Sequence, residues 1–299
     1  LLKAFPKIHA LGTRHAQTIF DGPVEVTEKI DGSQFVFGKV DGEILFRSKG
    51  AQIFVDDPQK MFEAGVEQVL GMDLPEDVVF YGEYLSKPKH NTLAYESIPE
   101  GHIALFGMSN PRGDTFSDKR EPLVEMARRL NIDPIPLVHE GLCSADLVMK
   151  MLERESYLGG PHVEGVVVKA YKDYVLAGQI VPVMAAKYVS EAFKEVHRKS
   201  WSKTQTKAGK WDGFKESFRT EARWQKAVQH LAEAGLLEND PRDIGRLITE
   251  IKRDITEEEQ ENIRDFLWRE FGEELLRKST AGFPEWYKER LARSLDEAA

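Results

Sequence analysis

In the stretch TEKIDGSQF, Lys29 follows Glu28 directly and precedes Asp31 by two residues. An amine attacks only when it has lost its proton, and at the ordinary lysine pKa of about 10.4 roughly one in a thousand is neutral near pH 7.4. Chemistry at Lys29 therefore needs positive charge from elsewhere in the chain or from a divalent ion, because Glu28 and Asp31 alone act in the opposite sense. A lone K-x-D-G also fits a solvated lysine at the end of a strand, so the remaining chain has to decide.

The elements that would position such a lysine change character once along the chain. Up to about residue 190, β-branched or aromatic runs such as VEVTEKI, QFVFGKV, EILFRSK, DVVFYGEYL, HIALFGM, VEGVVVKAY and QIVPVMAAKYV alternate with turn signals and a few helical stretches. This predicts a mixed α+β domain. Asp41-Gly42 between two alternating segments predicts a tight hairpin, whose strands are expected to pair with the strand that ends at Lys29. Beyond 190 the apolar residues recur at three and four positions in FKESFRTEARWQKAVQHLAEAGLL, PRDIGRLITEIKRDI, TEEEQENIRDFLWREFGEELLRK and PEWYKERLARSLDEA. Asp240-Pro241 reads as a helix start, and Thr256 with Glu259 as a capping box. The domains are expected to be 1–195 and 196–299, joined through the polar, lysine-rich HRKSWSKTQTKAGKWDG.

At 299 residues and 41% hydrophobic the chain can build two cores. Its net charge of −9 argues against a generic nucleic-acid coat, though not against a local basic groove. The single cysteine, Cys143, excludes an intramolecular disulfide, and no run approaches the roughly 20 apolar residues of a membrane span. A cytoplasmic monomer with no membrane partner is expected. The histidines His9, His15, His90, His102, His139 and His162 show no paired metal-ligand spacing, and no phosphate loop or dinucleotide fingerprint is present.

After EKIDGSQF come FRSKG (46–50), YGEYL (81–85), ALFGM (104–108), EGVVVK (164–169) and AAKYV (185–189), in that order and at strand ends. Together these resemble motifs I, Ia, III, IIIa, IV and V of the covalent nucleotidyltransferase superfamily of ATP-dependent ligases and capping enzymes. Within it the chain looks most like the RNA ligases of phages and of kinetoplastid RNA editing. The resemblance implies an α+β nucleotidyltransferase (ATP-grasp-like ligase) catalytic domain with antiparallel sheets, followed by an all-α C-terminal domain. DNA ligases and capping enzymes carry a β-rich barrel there instead.

The resemblance also implies roles. Lys29 matches the nucleophile that takes AMP from ATP, with Glu28 near the adenine or the metal. Arg47 matches a phosphate-binding arginine, for which a planar fork is suited. Glu83 matches the acid that accepts from the ribose hydroxyls, and Phe106 the ring that stacks on the purine. Glu164 matches a hard oxygen ligand for Mg²⁺ or Mn²⁺. Lys169 and Lys187 match the cations that neutralise the α-phosphate and lower the pKa of Lys29. Glu164 and Lys169, five residues apart, would point to opposite faces of a regular strand.

Two positions depart from the pattern. Asp31 stands where these RNA ligases usually have histidine, as in DNA ligases, and Ala185 and Val189 flank Lys187 where a second lysine is common. The implied function is ATP- and metal-dependent sealing of 5′-phosphate to 3′-hydroxyl ends in RNA, whether in a nicked duplex, a single-stranded break or an RNA/DNA hybrid. The alternatives are a DNA-joining ligase with the same core and a catalytically silent nucleic-acid-binding relative. The basic-aromatic HRKSWSKTQTKAGKW could track phosphates and stack bases, or be a solvated linker.

Overall fold

The computed structural model describes residues 1–176, 178–189 and 207–296. The basic-aromatic segment and the junction expected near 195 lie largely outside them. The chain begins with β1 (Ile8–Ala10), β2 (Val24–Lys29), β3 (Ser33–Val40), β4 (Glu43–Ser48) and β5 (Gln52–Ile53). Helix α1 (Glu63–Leu70) leads to β6 (Val78–Tyr84) and β7 (Ile103–Ser109), and α2 (Arg120–Arg129) to β8 (Asp133–Pro134) and β9 (Leu137–Gly141). After α3 (Ala145–Lys150) come β10 (Gly165–Ala170), β11 (Tyr174–Leu176), β12 (Gln179–Val181) and β13 (Met184–Val189). Then α4 (Lys207–Glu216), α5 (Glu221–Glu233), α6 (Ile244–Ser279) and α7 (Phe283–Asp296) follow.

The strands form a five-stranded sheet in the order β1-β13-β10-β2-β9, a six-stranded sheet in the order β5-β4-β3-β6-β7-β8 and a ribbon of β11 and β12. Pairing is antiparallel except for β1 with β13 and β7 with β8. The fold is therefore α+β with mainly antiparallel sheets and a helical C-terminal region. No helix among the described residues is long and apolar enough to cross a membrane.

Period-2 alternation sorts each strand into two faces. On β3 and β6, Phe35, Phe37, Phe80 and Tyr84 pack outward with Phe62, Val66 and Leu123. Val36, Val79 and Tyr81 turn inward onto Leu2, Phe5, Val183 and Ala185 of the other layer. On β2 and β10, Val24, Val26, Val166 and Val168 face outward with Ile19 and Val148. The inner faces of the two sheets are thus free to hold the polar side chains between these valines.

The predicted hairpin forms, with Asp41 at φ 53° and Gly42 at φ 79°, as a primed turn requires. Its strands do not pair with β2. β3 takes β4 and β6 as neighbours, while β2 lies between β10 and β9 in the other sheet. The chain crosses from one sheet to the other just after Lys29. The crossing is tight enough to need glycine, since a Cβ on Gly32 would lie 2.7 Å from both the Tyr84 carbonyl oxygen and Leu85 Cδ1.

The helical region also departs from expectation in two places. Thr256 caps nothing: α6 runs through it to Ser279, and its hydroxyl donates to the Lys252 carbonyl at 2.9 Å. With helix formers on both sides and no glycine or proline, nothing stops the helix there. The periodic stretch from 214 to 237 breaks instead at Thr220, whose Oγ1 accepts from the Arg223 amide at the start of α5. The Asp240-Pro241 start holds, with a capping box between Asp240 and Asp243.

Candidate active site

Lys29 and Lys187 come onto one face through register. Gly165 pairs with Lys29 and Val167 with Lys187, two residues apart on β10. Glu164 sits just ahead of β10, outside the alternation of the strand, and its Oε2 reaches Lys29 Nζ at 2.6 Å. Opposite them, Glu83 pairs with Gln34 on the other sheet. Lys29, Glu83, Glu164 and Lys187 line a cavity of about 1810 Å³ that is closed on one side by Gln229 and Glu233 of α5.

Charge in this cavity is unevenly shared. Burial acts to lower the Lys29 pKa, but the carboxylates of Glu164, Glu83 and Asp31 outweigh it and hold it above the ordinary lysine value. The expected lowering of Lys29 by later lysines is thus not the state of the free protein, because acids stand closer to it. Burial pushes Glu83 up to about 8, with Glu164, Glu233 and Asp31 adding to the effect against Lys29. Near neutral pH Glu83 is therefore largely a carboxylic acid. Burial likewise raises Glu164 despite its contact with Lys29, while Lys187 is lowered, first by burial and then by Lys29, Lys226 and Lys49.

The other sequence-predicted residues lie away from the cavity wall. Adjacent strand residues face opposite ways, so Glu28 points outward, where its carboxylate accepts from the Ser156 hydroxyl at 2.5 Å and the Tyr157 amide at 3.3 Å. That placement does not bring it to a nucleotide or metal in the cavity. The Arg47 guanidinium donates to the carbonyls of Leu2 at 2.7 Å, Ser48 at 3.0 Å and Lys49 at 3.3 Å. Phe106 meets the edge of Phe5, itself part of the cavity wall, with ring centroids 5.2 Å apart. Lys169 is 1% exposed, paired with Glu25 at 2.5 Å and donating to the Phe106 carbonyl at 2.8 Å.

Asp31 has a local task. Its Oδ2 accepts from the Thr92 and Leu93 amides, each at 2.7 Å, and so pins the loop after β6 against the turn that follows Lys29. On the helical side, Ser33 donates to Glu233 at 2.5 Å and lies 2.9 Å from His90 Nε2. Burial keeps His90 neutral, with its pKa down to about 4.

Sequence reasoning passed over Glu25, Lys49 and Glu258. Lys49 lies in the quoted FRSKG and could have been singled out there. Glu25 and Glu258 become visible only through strand register and helix docking.

Among the described residues no group of three or more histidine, cysteine, aspartate or glutamate side chains could hold a metal ion; Glu164 is the carboxylate that touches Lys29.

A family model described as RNA ligase matches residues 22–189, more than half of the 299. No curated protein matches the chain. Among solved structures, a Naegleria gruberi RNA ligase mutant with AMP and Mn is 14% identical with a TM-score of 0.47, covering 64% of this chain and 57% of its own. The Naegleria gruberi RNA ligase with PPi is 17% identical, with a TM-score of 0.47 and coverage of 66% and 58%. A putative ATP-dependent DNA ligase from Aquifex aeolicus is 16% identical, with a TM-score of 0.45 and coverage of 84% and 64%. The chain spans less than two thirds of the length of each of these. From the family match over residues 22–189, with Lys29, Glu83, Glu164 and Lys187 inside it, the chain belongs to the RNA ligase family.

Proposed function

We propose that this chain is an ATP-dependent polynucleotide ligase that joins 5′-phosphate and 3′-hydroxyl ends of RNA through a lysyl-AMP intermediate. Residues 1–195 would carry nucleotidyl transfer, and 196–299 would hold the nucleic acid. The observation that carries the reading is Lys29 Nζ held 2.6 Å from Glu164 in a cavity that Lys187 shares. Membership in the RNA ligase family supports it.

In the first step the Lys29 nitrogen bonds to the α-phosphorus of ATP as the bond from that phosphorus to the bridging oxygen breaks and pyrophosphate leaves. Nζ must first lose a proton, and Glu164 Oε2 is the acceptor beside it. Lys187 places its charge beside the cavity, where it can offset the α-phosphate oxygens. Glu83, protonated near neutrality, can donate as well as accept at a ribose hydroxyl. In the second step an oxygen of the RNA 5′-phosphate takes the AMP and Lys29 regains its amine. In the third, the 3′-hydroxyl attacks the 5′-phosphorus and AMP departs.

Mg²⁺ or Mn²⁺, when bound, would supply further positive charge at the phosphate oxygens, and Glu164 is the residue that would contact it. Lys169 acts behind the site by fixing the Phe106 strand. Two backbone amides donate to Asp31 Oδ2, so loop anchoring would account for its identity without a preference for DNA.

The test is incubation with labelled ATP, GTP or NAD⁺ and Mg²⁺, followed by denaturation. ATP alone is expected to label the protein, and Lys29→Ala to give no label while its circular dichroism is unchanged. Label on folded Lys29→Ala would sink the proposal.

A further inference from the structure

One carboxylate of the helical layer sits among lysines from four separate parts of the chain. Glu258, on α6, lies 3.6 Å from Lys187 on β13, 3.8 Å from Lys49 at the end of β4 and 3.8 Å from Lys226 on α5. Lys7, ahead of β1, donates to the neighbouring Glu257 carbonyl at 2.5 Å. Burial alone would raise the Glu258 pKa, yet Lys187, Lys226, Lys49 and Lys7 overcome it and bring it down to about 2.

The distances and the charge count do not match a site built for one carboxylate. Contacts of 3.6–3.8 Å exceed the 2.7–2.9 Å of a close charge-assisted hydrogen bond, so the ammonium groups ring Glu258 without closing on it. Lys226 also pairs with Asp254, which Arg223 neutralises in turn. Lys187 and Lys49 pair with no other carboxylate among the described residues, and Lys7 donates to a main-chain carbonyl, that of Glu257. A group carrying several negative charges would satisfy this ring better than a single carboxylate.

Lys7, Lys49, Lys187 and Glu258 line the same cavity as Lys29 and Glu164. We propose that Lys7, Lys49, Lys187 and Lys226 form an oligophosphate site shared by the sheets and the helices, and that Glu258 is its internal competitor. The ligand class is the pyrophosphate unit, either as the β- and γ-phosphates of a nucleoside triphosphate or as the released anion. The assignment to that unit rests on the ligase reading. Two of the lysines, Lys7 and Lys226, and the competitor all lie outside the family-matched residues 22–189. Ligand entry then requires Glu258 to leave, and with it the ion pairs that join α6 to Lys49 and Lys187. Departure of pyrophosphate lets the carboxylate return.

The test titrates the full chain, without ATP or divalent ion, with inorganic pyrophosphate and separately with inorganic phosphate, by calorimetry. Glu258→Gln removes the competing charge at nearly constant shape and is expected to bind pyrophosphate about tenfold more tightly. Adding Lys226→Met, or Lys49→Gln at the exposed edge where no packing is lost, should abolish that gain. Unchanged or weaker pyrophosphate binding by Glu258→Gln would overturn the proposal. An equal gain for inorganic phosphate would overturn the assignment to pyrophosphate. The ligase reading fails separately: a wild-type protein that takes no label from ATP leaves these titrations intact, whereas labelling with no effect of Glu258→Gln removes only the oligophosphate site.

Discussion

Lys169 joins the two sheets from inside: its Nζ, on β10 of one sheet, donates to the carbonyl of Phe106 on β7 of the other at 2.8 Å. Glu25, directly across the β2–β10 ladder, supplies the counter-charge at 2.5 Å. The side chains are 1% and 9% exposed, so neither charge is solvated if its partner is lost. Lys169→Met is expected to destabilise the fold by about 3–5 kcal/mol, because it strands a buried carboxylate. The double change Lys169→Met with Glu25→Leu should recover most of that loss. Urea midpoints of the three proteins decide the matter, and equal midpoints for the single and double variants would show that the pair is not coupled.

Glu83 makes a pH prediction. Its folded pKa of about 8 lies above the ordinary carboxyl value of 4.5, so between those values the folded protein holds a proton that the unfolded chain has lost. Stability therefore falls as pH rises through this window, and the penalty is complete above pH 8. Glu83→Gln should change the melting temperature little at pH 4 and raise it at pH 9, by the equivalent of about 2 kcal/mol after allowance for partial exposure. A variant that stabilises more at pH 4 than at pH 9 would contradict this.

Glu164 sets the proton affinity of Lys29. With its carboxylate removed, burial has less opposition and the Lys29 pKa falls. The rate of adduct formation in a single turnover should rise with pH in the wild type, as the ammonium deprotonates. In Glu164→Gln the same rise should come at lower pH, even if the plateau is depressed. A shift of the profile to higher pH would show that Glu164 does not act on Lys29 in this way.

The helices are expected to matter for nucleic acid more than for nucleotide transfer to Lys29, because Lys29, Glu83 and Lys187 lie in the sheets and Glu164 just ahead of β10. A chain ending near residue 195 should still form the adduct. Sealing of a nicked duplex should fall by about a hundredfold or more, since small displacements of reacting groups cost that much. Both activities would be measured on one preparation whose folding is checked by circular dichroism. Sealing at near the full rate would assign the helices another task.

By itself the sequence determined the α+β character, the switch to helices beyond 190, the primed turn at Asp41-Gly42 and the ordered segments that carry Lys29, Glu83, Glu164 and Lys187. These are local properties: a two-residue period, a 3.6-residue period and the turn geometry of particular residue pairs. The resemblance put Glu28 near the adenine or the metal, whereas in β2 it turns outward to Ser156 and Tyr157. Tertiary structure alone decided the rest. The expected pairing of the hairpin with β2 failed because partner choice depends on how the chain crosses at Gly32, and no strand records that in its own pattern. The single run of α6 through Thr256 reflects a capping residue with no break to cap. Whether Lys169 meets phosphate or Glu25 depends on the register of β2 against β10, and whether Lys187 meets solvent or Glu258 depends on the docking of a helix some seventy residues away. Charge acts through space at a few ångströms, and only the folded chain sets which charges are that close.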